Sequence, residues 1–332
     1  MKKLRTAIIG LGHQAEEDHI PGILDSQFAE LVAICDKDEN KLKEWQQKLN
    51  VNGYVKYTDM FNNEKLDFLV IAVPHDEYKA IMEEAIKRKI HILKEKPFAK
   101  DLKEAIYLKN LSEKNKVNIM TTLQRRFNPI YNSFFQLLEH IGDPFLVEIK
   151  YNIFVNNPHE GWRGSKEKAG GGCIIDMGYH MIDMLIWYFG LPDRVHAELS
   201  SKAKPEEKYD AEDTAIILFS YNSGLNGHIE ISRYASPKTE FMKIIGTKGI
   251  IEINRGSIKR IKNNGEVAES LIREVAWPIA STNQIDYFSK IILGERENIG
   301  SPAYHLQHMA FIEACYQSKE KGMYIDPKEL LK

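Results

Sequence analysis

A carboxylate and an imidazole stand four residues apart in an otherwise apolar stretch of the sequence. Residues 174–189 are predicted to form a helix, which places Asp176 and His180 on one face. A carboxylate beside an imidazole can fix its tautomer and raise its basicity, as acid–base catalysis requires. The same pair could instead form a buried hydrogen bond that only stabilises the domain. A metal site that adds Asp183 is disfavoured, because three adjacent helical ligands are geometrically awkward and the spacings of catalytic zinc sites are absent.

A glycine-rich segment near the N-terminus has the spacing of a phosphate-binding turn. Gly10-Leu11-Gly12-His13-Gln14-Ala15 matches GxGxxG/A, follows an apolar run and opens a helical pattern. Glycines there permit a tight turn and close approach of the backbone to a pyrophosphate, and the helix N-terminus supplies unpaired N–H groups. The alternative is that these glycines only make a turn.

An acidic residue accompanies this segment. Asp36 ends the second apolar run, close to the spacing of roughly 20 residues expected after such a turn. Its carboxylate can accept hydrogen bonds from ribose hydroxyls and would repel a 2′-phosphate. NAD is therefore favoured over NADP, although Lys37 beside it weakens the exclusion.

A lysine follows the fourth apolar run, in Glu95-Lys96-Pro97. In doubly wound sheets, ligands bind at the carboxyl ends of the strands, so Lys96 would point towards a bound nicotinamide. Taken alone, Lys96 would more simply be a solvated surface lysine. Pro97 could hold a cis bond, and the sequence does not decide the isomer.

The elements that must position these residues alternate in the first 120 or so residues. Helical patterns at 39–49, 78–88 and 102–115 separate apolar runs that are typical of buried parallel strands. These runs are Thr6–Ile9, Leu31–Ile34, Phe68–Ala72, Ile90–Leu93 and Val117–Met120. The alternation predicts an α/β domain at 1–122, a Rossmann-type doubly wound parallel sheet.

The remaining residues, 123–332, show a different pattern. Helical patterns at 129–140 and 174–189 precede strands in series that have no helices between them. Asn222-Ser223-Gly224 and Gly246-Thr247-Lys248-Gly249 are plausible hairpin turns. This order predicts an α+β domain with an open, largely antiparallel mixed sheet, followed by two helices. The C-terminal helix could pack back towards the first domain.

Composition excludes several classes of protein. Hydrophobic residues make up 43% of the chain and charged residues 28%, which is the balance of a soluble globular protein. A net charge of −2 argues against nucleic-acid or membrane-surface binding. Three dispersed cysteines without CxxC spacing indicate neither a disulfide framework nor a zinc site, and favour the cytoplasm. Neither a signal peptide nor a membrane span is predicted.

Several motifs together resemble the Gfo/Idh/MocA oxidoreductase family, and the resemblance runs nearly end to end. The matching segments are Ala7-Ile8-Ile9-Gly10-Leu11-Gly12, Asp36, Glu95-Lys96-Pro97, Arg125-Arg126-Phe127-Asn128-Pro129, Gly171-Gly172 with Asp176-x-Gly178-x-His180-x-x-Asp183, Gly246-Thr247-x-Gly249 and the helix around Glu313-Ala314. The chain departs from the family at His75 and Tyr78, where many members carry Asn and His.

The resemblance implies roles for individual residues. His180 would take the proton from a substrate hydroxyl, Lys96 would stabilise the charge that develops on that oxygen, and Asp176 would orient the substrate and tune His180. The predicted cofactor-binding residues are Gly10, Gly12, His13, Gln14, Asp36, Lys37, Val73, Pro74, Glu95, Lys96 and Gln124. The predicted substrate-binding residues are Lys96, Arg126, Trp162, Arg163, Asp176 and His180, and no metal is required.

These residues predict a cytoplasmic NAD-dependent dehydrogenase that oxidises a secondary alcohol of a sugar, an inositol or a related polyol. A homodimer or homotetramer built through the C-terminal sheet is expected. Two alternatives on the same scaffold remain: a glycoside hydrolase that uses tightly held NAD, and a non-catalytic dinucleotide-sensing regulator.

Overall fold

The structure is a computed structural model that describes residues 2–272 and 277–332. The chain divides into two compact units. The first comprises Met1–Ala99, Lys103–Phe127 and Ala276–His305, and the second comprises Lys100–Leu102, Asn128–Val275 and Leu306–Lys332. Within the described residues, no helix is both long enough and apolar enough to cross a bilayer.

A parallel sheet forms the centre of the first unit. Its strands are β1 (Leu4–Ile9), β2 (Ala29–Cys35), β3 (Asn52–Tyr54), β4 (Phe68–Ile71), β5 (His91–Lys94) and β6 (Ile119–Thr121). The strand order is β3-β2-β1-β4-β5-β6, with parallel neighbours. This is the doubly wound order whose direction reverses between β1 and β4, where such sheets bind ligands. The predicted Rossmann domain is confirmed.

Helices join these strands. They are α1 (Ile20–Asp25), α2 (Glu39–Leu49), α3 (Tyr57–Asn63), α4 (Tyr78–Lys87) and α5 (Leu102–Asn115). A π-helical turn at Ala15–His19 runs directly into α1. Pro21 has no N–H to donate to an i−4 carbonyl, and the wider turn before it accommodates that loss.

A late segment of the chain returns to the first unit. Helix α10 (Trp277–Ile292) contributes Ile285, Phe288 and Ile291 to the core that contains Ile8 of β1. The rings of Phe288 and Phe68 meet edge to face, with centroids 5.5 Å apart. The first unit is therefore discontinuous, which differs from the contiguous division at residue 122 that the sequence predicted.

A mixed sheet forms the second unit. Its strands are β7 (Pro144–Phe154), β8 (Arg194–Ser200), β9 (Thr214–Ser220), β10 (Asn226–Ser232), β11 (Tyr234–Gly246), β12 (Gly249–Asn254), β13 (Ser257–Lys262) and β14 (Val267–Ile272). The order is β14-β13-β12-β11-β7-β10-β9-β8, with antiparallel neighbours except for the parallel pair β7 and β10. The predicted largely antiparallel sheet is confirmed.

The remaining helices are α6 (Pro129–Asn132), α7 (Phe134–Leu138), α8 (Lys166–Ala169), α9 (Tyr179–Phe189) and α11 (Pro302–Lys321). The single helix predicted at 129–140 is thus two short helices. A second π-helical turn, Ile174–Gly178, leads into α9. It carries i→i+5 hydrogen bonds, so the α-helical spacing used to place Asp176 and His180 on one face does not hold there.

Candidate active site

The predicted phosphate cradle follows β1. The Gly10 N–H donates to the Cys35 carbonyl at 2.9 Å, and Gly10 has a φ of +90° that L-residues rarely adopt. A Cβ on Gly10 would lie 2.3 Å from the Ala72 carbonyl oxygen. A Cβ on Gly12 would meet no atom within 4 Å. Gly10 is therefore required by the fold, whereas the space beside Gly12 is open to a ligand.

A cavity of about 220 Å³ adjoins this turn. Its lining includes Gly10, Gly12, Cys35, Asp36, Lys37, Val73, Pro74 and Glu77. The Asp36 carboxylate accepts N–H bonds from Leu11 at 2.7 Å and from Asp38 at 2.9 Å, so its position is fixed. Burial raises the pKa of the Cys35 thiol to about 12, which leaves it protonated and unreactive near neutral pH.

Lys37 lies next to Asp36, but its ammonium group is engaged. Nζ lies 2.8 Å from the Glu77 carboxylate, and the hydrogen bond to that carboxylate raises the pKa of Lys37. The Lys37 side chain is 77% exposed, so this pair is a weak one. Lys37 was the residue that weakened the prediction of NAD over NADP, and Glu77 offsets its charge.

Two predicted cofactor-side amides share one carboxylate. Asp18 Oδ2 accepts from Gln14 Nε2 and, at 2.9 Å, from Gln124 Nε2. Burial is the main reason that the pKa of Asp18 is raised; nearby His19 opposes the shift and Glu95 adds to it. Sequence analysis did not assign a role to Asp18, which orients both amides.

Glu95 and Lys96 continue from β5. The Glu95 carboxylate pairs with His19 Nε2 at 2.8 Å, and both residues are buried. Burial acts to raise the pKa of Glu95, but the hydrogen bond and charge of His19 lower it overall, helped by Lys96 and Thr122. The Lys96 N–H donates to Thr122 Oγ1 at 3.3 Å, and the Lys96–Pro97 bond is cis.

Asp176 of the second unit lies between two guanidinium groups. Its Oδ2 is 3.3 Å from Arg163 Nε and 3.3 Å from Arg233 Nη2. Arg233 is buried and also donates to the Arg163 carbonyl at 3.2 Å, so it ties Asp176 to the loop that carries Trp162. Sequence analysis missed Arg233, because its partner is 57 residues away in the chain.

His180 is partly buried at the start of α9, with its ring centroid 6.4 Å from that of Tyr151. The turn before it packs closely on β10, since a Cβ on Gly178 would lie 2.5 Å from Ile231 Cδ1. Asp183 pairs with buried His308 at 2.9 Å. The described residues contain no cluster suited to a metal, and Asp183 instead anchors α9 to α11.

The other predicted residues have mixed environments. His13 is exposed, and Trp162 lies under the Arg163 guanidinium at 4.2 Å from its ring centroid. Arg126 is buried, donates to the Ile299 carbonyl at 3.2 Å and also to the Tyr304 hydroxyl. These contacts give Arg126 a structural role in the first unit, and its contact with substrate stays a prediction.

Family models match the chain in two successive segments. Residues 4–123 match the model described as oxidoreductase family, NAD-binding Rossmann fold. Residues 138–252 match the model described as GFO/IDH/MocA C-terminal domain. The chain belongs to the Gfo/Idh/MocA oxidoreductase family. The predicted oxidoreductase class and the predicted NAD cofactor are thereby confirmed.

Proteins similar to this chain include dehydrogenases named for a sugar and for an inositol. The D-apiose dehydrogenase of Paraburkholderia graminis is 25% identical over 356 residues, which cover 99% of this chain and 91% of that protein. The myo-inositol 2-dehydrogenase of Thermotoga maritima is 26% identical over 254 residues, or 75% of this chain and 74% of that protein. An Agrobacterium radiobacter oxidoreductase, crystallised with NAD⁺, L-tartaric acid and magnesium, shares the fold at a TM-score of 0.86 and 22% identity, covering 99% and 100% of the two chains.

The residues at the carboxyl edge of the parallel sheet fit NAD. The open space beside Gly12 suits a pyrophosphate, and the fixed carboxylate of Asp36 lines the adjoining cavity where a ribose would bind. Gly10 and Gly12 would hold the pyrophosphate, and Asp36 the ribose hydroxyls. The contacts of the other predicted residues with cofactor or substrate stay predictions.

Glu77→Gln is expected to make NADP bind about 1.5- to 5-fold more tightly while leaving NAD affinity unchanged. The substitution removes the partner of Lys37 and frees its ammonium group for a 2′-phosphate. Calorimetric titration with each dinucleotide measures this without a substrate. Glu44→Gln, which breaks the exposed pair with Lys48, is the matched control. An equal change for NAD and NADP would contradict the expectation.

Proposed function

We propose that this chain oxidises a secondary alcohol of a sugar, an inositol or a related polyol and passes the hydride to NAD. The observation that carries the proposal is the position of Lys96. It follows β5 at the same edge of the sheet as the Gly10–Gly12 turn and Asp36. A cation at that edge suits an oxygen that becomes negative as hydride leaves its carbon. The dehydrogenases of D-apiose and myo-inositol among the relatives support the substrate class.

Three side chains act on the substrate in this mechanism, each with a different role. His180 accepts the proton of the substrate hydroxyl, and Lys96 donates a hydrogen bond to the same oxygen. Asp176 orients the substrate, while Arg163 and Arg233 hold the carboxylate in place. When bound, NAD supplies the hydride acceptor at nicotinamide C4.

A substrate panel tests the reaction. D-apiose, myo-inositol, other aldoses and sugar acids are each incubated with NAD and, separately, with NADP, and reduced nicotinamide is followed by absorbance. Reduction of NAD by one of these polyols supports the proposal. A glycoside is included as a further panel member, and its loss without net NADH would contradict the proposal and favour NAD-assisted hydrolysis. Dinucleotide binding without turnover of any panel member would favour a sensor.

We further propose a homodimer or homotetramer built through the C-terminal sheet. On β9, exposed Ile216 and Leu218 alternate with buried Ala215 and Ile217, so one face of the strand presents apolar side chains to solvent. Ile216→Glu is expected to shift the sedimentation coefficient towards that of a monomer. An Asp substitution at Leu24, an exposed apolar residue of α1, is the control. A wild-type chain that sediments as a monomer would overturn this proposal.

The cytoplasmic location stays a prediction.

A further inference from the structure

A lysine without solvent exposure lies directly before the proposed catalytic turn. Lys94, the last residue of β5, is 0% exposed. Burial lowers its pKa well below the usual range, against the opposing charges of Glu104 and Glu95. Lysines are almost never fully buried unless they are paired, so the ammonium group of Lys94 is expected to have hydrogen-bond partners inside the protein.

Those contacts converge on the backbone around Lys96. Lys94 Nζ donates to the Glu95 carbonyl at 2.8 Å and to the Pro97 carbonyl. It also lies 3.5 Å from the centroid of the Tyr78 ring, close enough for a cation–π interaction. One buried ammonium group therefore links the carbonyl of Glu95 to the carbonyl of Pro97, on either side of Lys96.

Tyr78 completes the arrangement. Its hydroxyl donates to the Lys96 carbonyl at 3.4 Å, and its ring is buried and stacked on His75, with centroids 5.7 Å apart. Three successive carbonyls, those of Glu95, Lys96 and Pro97, thus accept hydrogen bonds from the side chains of Lys94 and Tyr78. This fixes the orientation of each peptide plane in the turn.

We propose that Lys94 and Tyr78 are positioning residues that together hold the Lys96 turn in its reactive orientation. The inference rests on the proposed function of Lys96. Side-chain placement matters there, because a misplacement of about 1 Å in a reacting constellation can cost roughly 10²-fold in rate. The buried ammonium of Lys94 thereby serves turnover as well as the stability of β5.

The test uses Lys94→Met, Tyr78→Phe and the double variant in the full chain. Each is compared with wild type for kcat and KM on the fastest panel substrate, for NAD affinity and for the thermal midpoint. Lys94→Met should lower kcat roughly 10- to 100-fold, with KM and NAD affinity within about twofold. Tyr78→Phe should lower kcat less, and the two effects should be non-additive because both residues act on one turn. Lys89→Met, which removes a lysine bonded to the Asn115 carbonyl, should keep wild-type kcat.

Two further measurements distinguish a failure of this inference from a failure of the proposed function of Lys96. Lys96→Ala is assayed in parallel: if it is inactive while Lys94→Met and Tyr78→Phe keep wild-type kcat, this inference is overturned and the proposed function stands. If Lys96→Ala keeps wild-type turnover, the proposed function fails first. Exchange of the amide hydrogens of Glu95, Lys96 and Phe98 needs no substrate, and it should accelerate in Lys94→Met or Tyr78→Phe but not in Lys89→Met. Unchanged exchange in both test variants overturns the inference.

Discussion

Replacing Lys96 with alanine is expected to lower kcat by about 10²- to 10³-fold, the usual effect of removing one donor to a developing oxyanion. NAD affinity should change little, because the cradle at Gly10–Gly12 and Asp36 is built from other residues. The thermal midpoint should also hold, since the Lys96 side chain is only partly buried. Steady-state kinetics and calorimetric NAD titration measure the two quantities separately.

The matched control is Lys103→Ala, an exposed lysine on α5, which should keep wild-type kcat. His180→Ala is expected to reduce kcat by about 10²- to 10⁴-fold as the loss of a general base. Wild-type turnover in both Lys96→Ala and His180→Ala would show that the proposed catalytic set is wrong. A loss of NAD affinity that explains the whole effect would instead assign Lys96 to cofactor binding.

Gly12→Ala should fold normally and yet bind NAD about 10- to 100-fold more weakly. Its added methyl group meets no protein atom within 4 Å, so the free energy of unfolding should be nearly unchanged. The same methyl would occupy the space that a pyrophosphate needs, and overpacking of this kind costs about 1–3 kcal/mol. Thermal unfolding and NAD titration of the purified variant check the two parts.

Gly10→Ala separates the two functions of the turn. At a φ of +90° and with a Cβ 2.3 Å from the Ala72 carbonyl, it should lose on the order of 3 kcal/mol of stability. The contrast is therefore a stable Gly12 variant with weak binding and an unstable Gly10 variant. If Gly12→Ala bound NAD as tightly as wild type, the cradle would not be where we place it.

Local patterns were sufficient to predict the parallel sheet but not its weakest elements. The predicted runs at 6–9, 31–34 and 68–72 are short and almost entirely apolar, which is typical of strands buried on both faces of a sheet. Strand β3, with the sequence Asn-Gly-Tyr, has neither length nor apolar character and is held by pairing with β2. In the mixed sheet, the edge strand β14 and its neighbour β13 were also missed, since both carry many polar residues.

Sequence spacing was sufficient to place the residues of one motif near each other, but it missed the contacts between distant segments. Gly12 and Asp36 line one cavity, as their spacing predicts, because the turn and the strand end impose that arrangement. Glu95 and His19 are 76 residues apart, and Asp183 and His308 are 125 apart, so no local signal links them. The π-helical turn at Ile174–Gly178 also escaped prediction, because its sequence has the apolar pattern of an ordinary helix.

Transfer of deuterium from substrate to nicotinamide tests the central claim most directly. D-Apiose, myo-inositol and the other panel polyols, deuterated at their carbinol carbons, are incubated with the protein and NAD, and the mass of the nicotinamide product is measured. The account predicts NADH that carries one deuterium from the substrate and that forms about 10²- to 10³-fold more slowly in Lys96→Ala. Loss of substrate without deuterated NADH, or NAD that stays unreduced with every polyol, would contradict it.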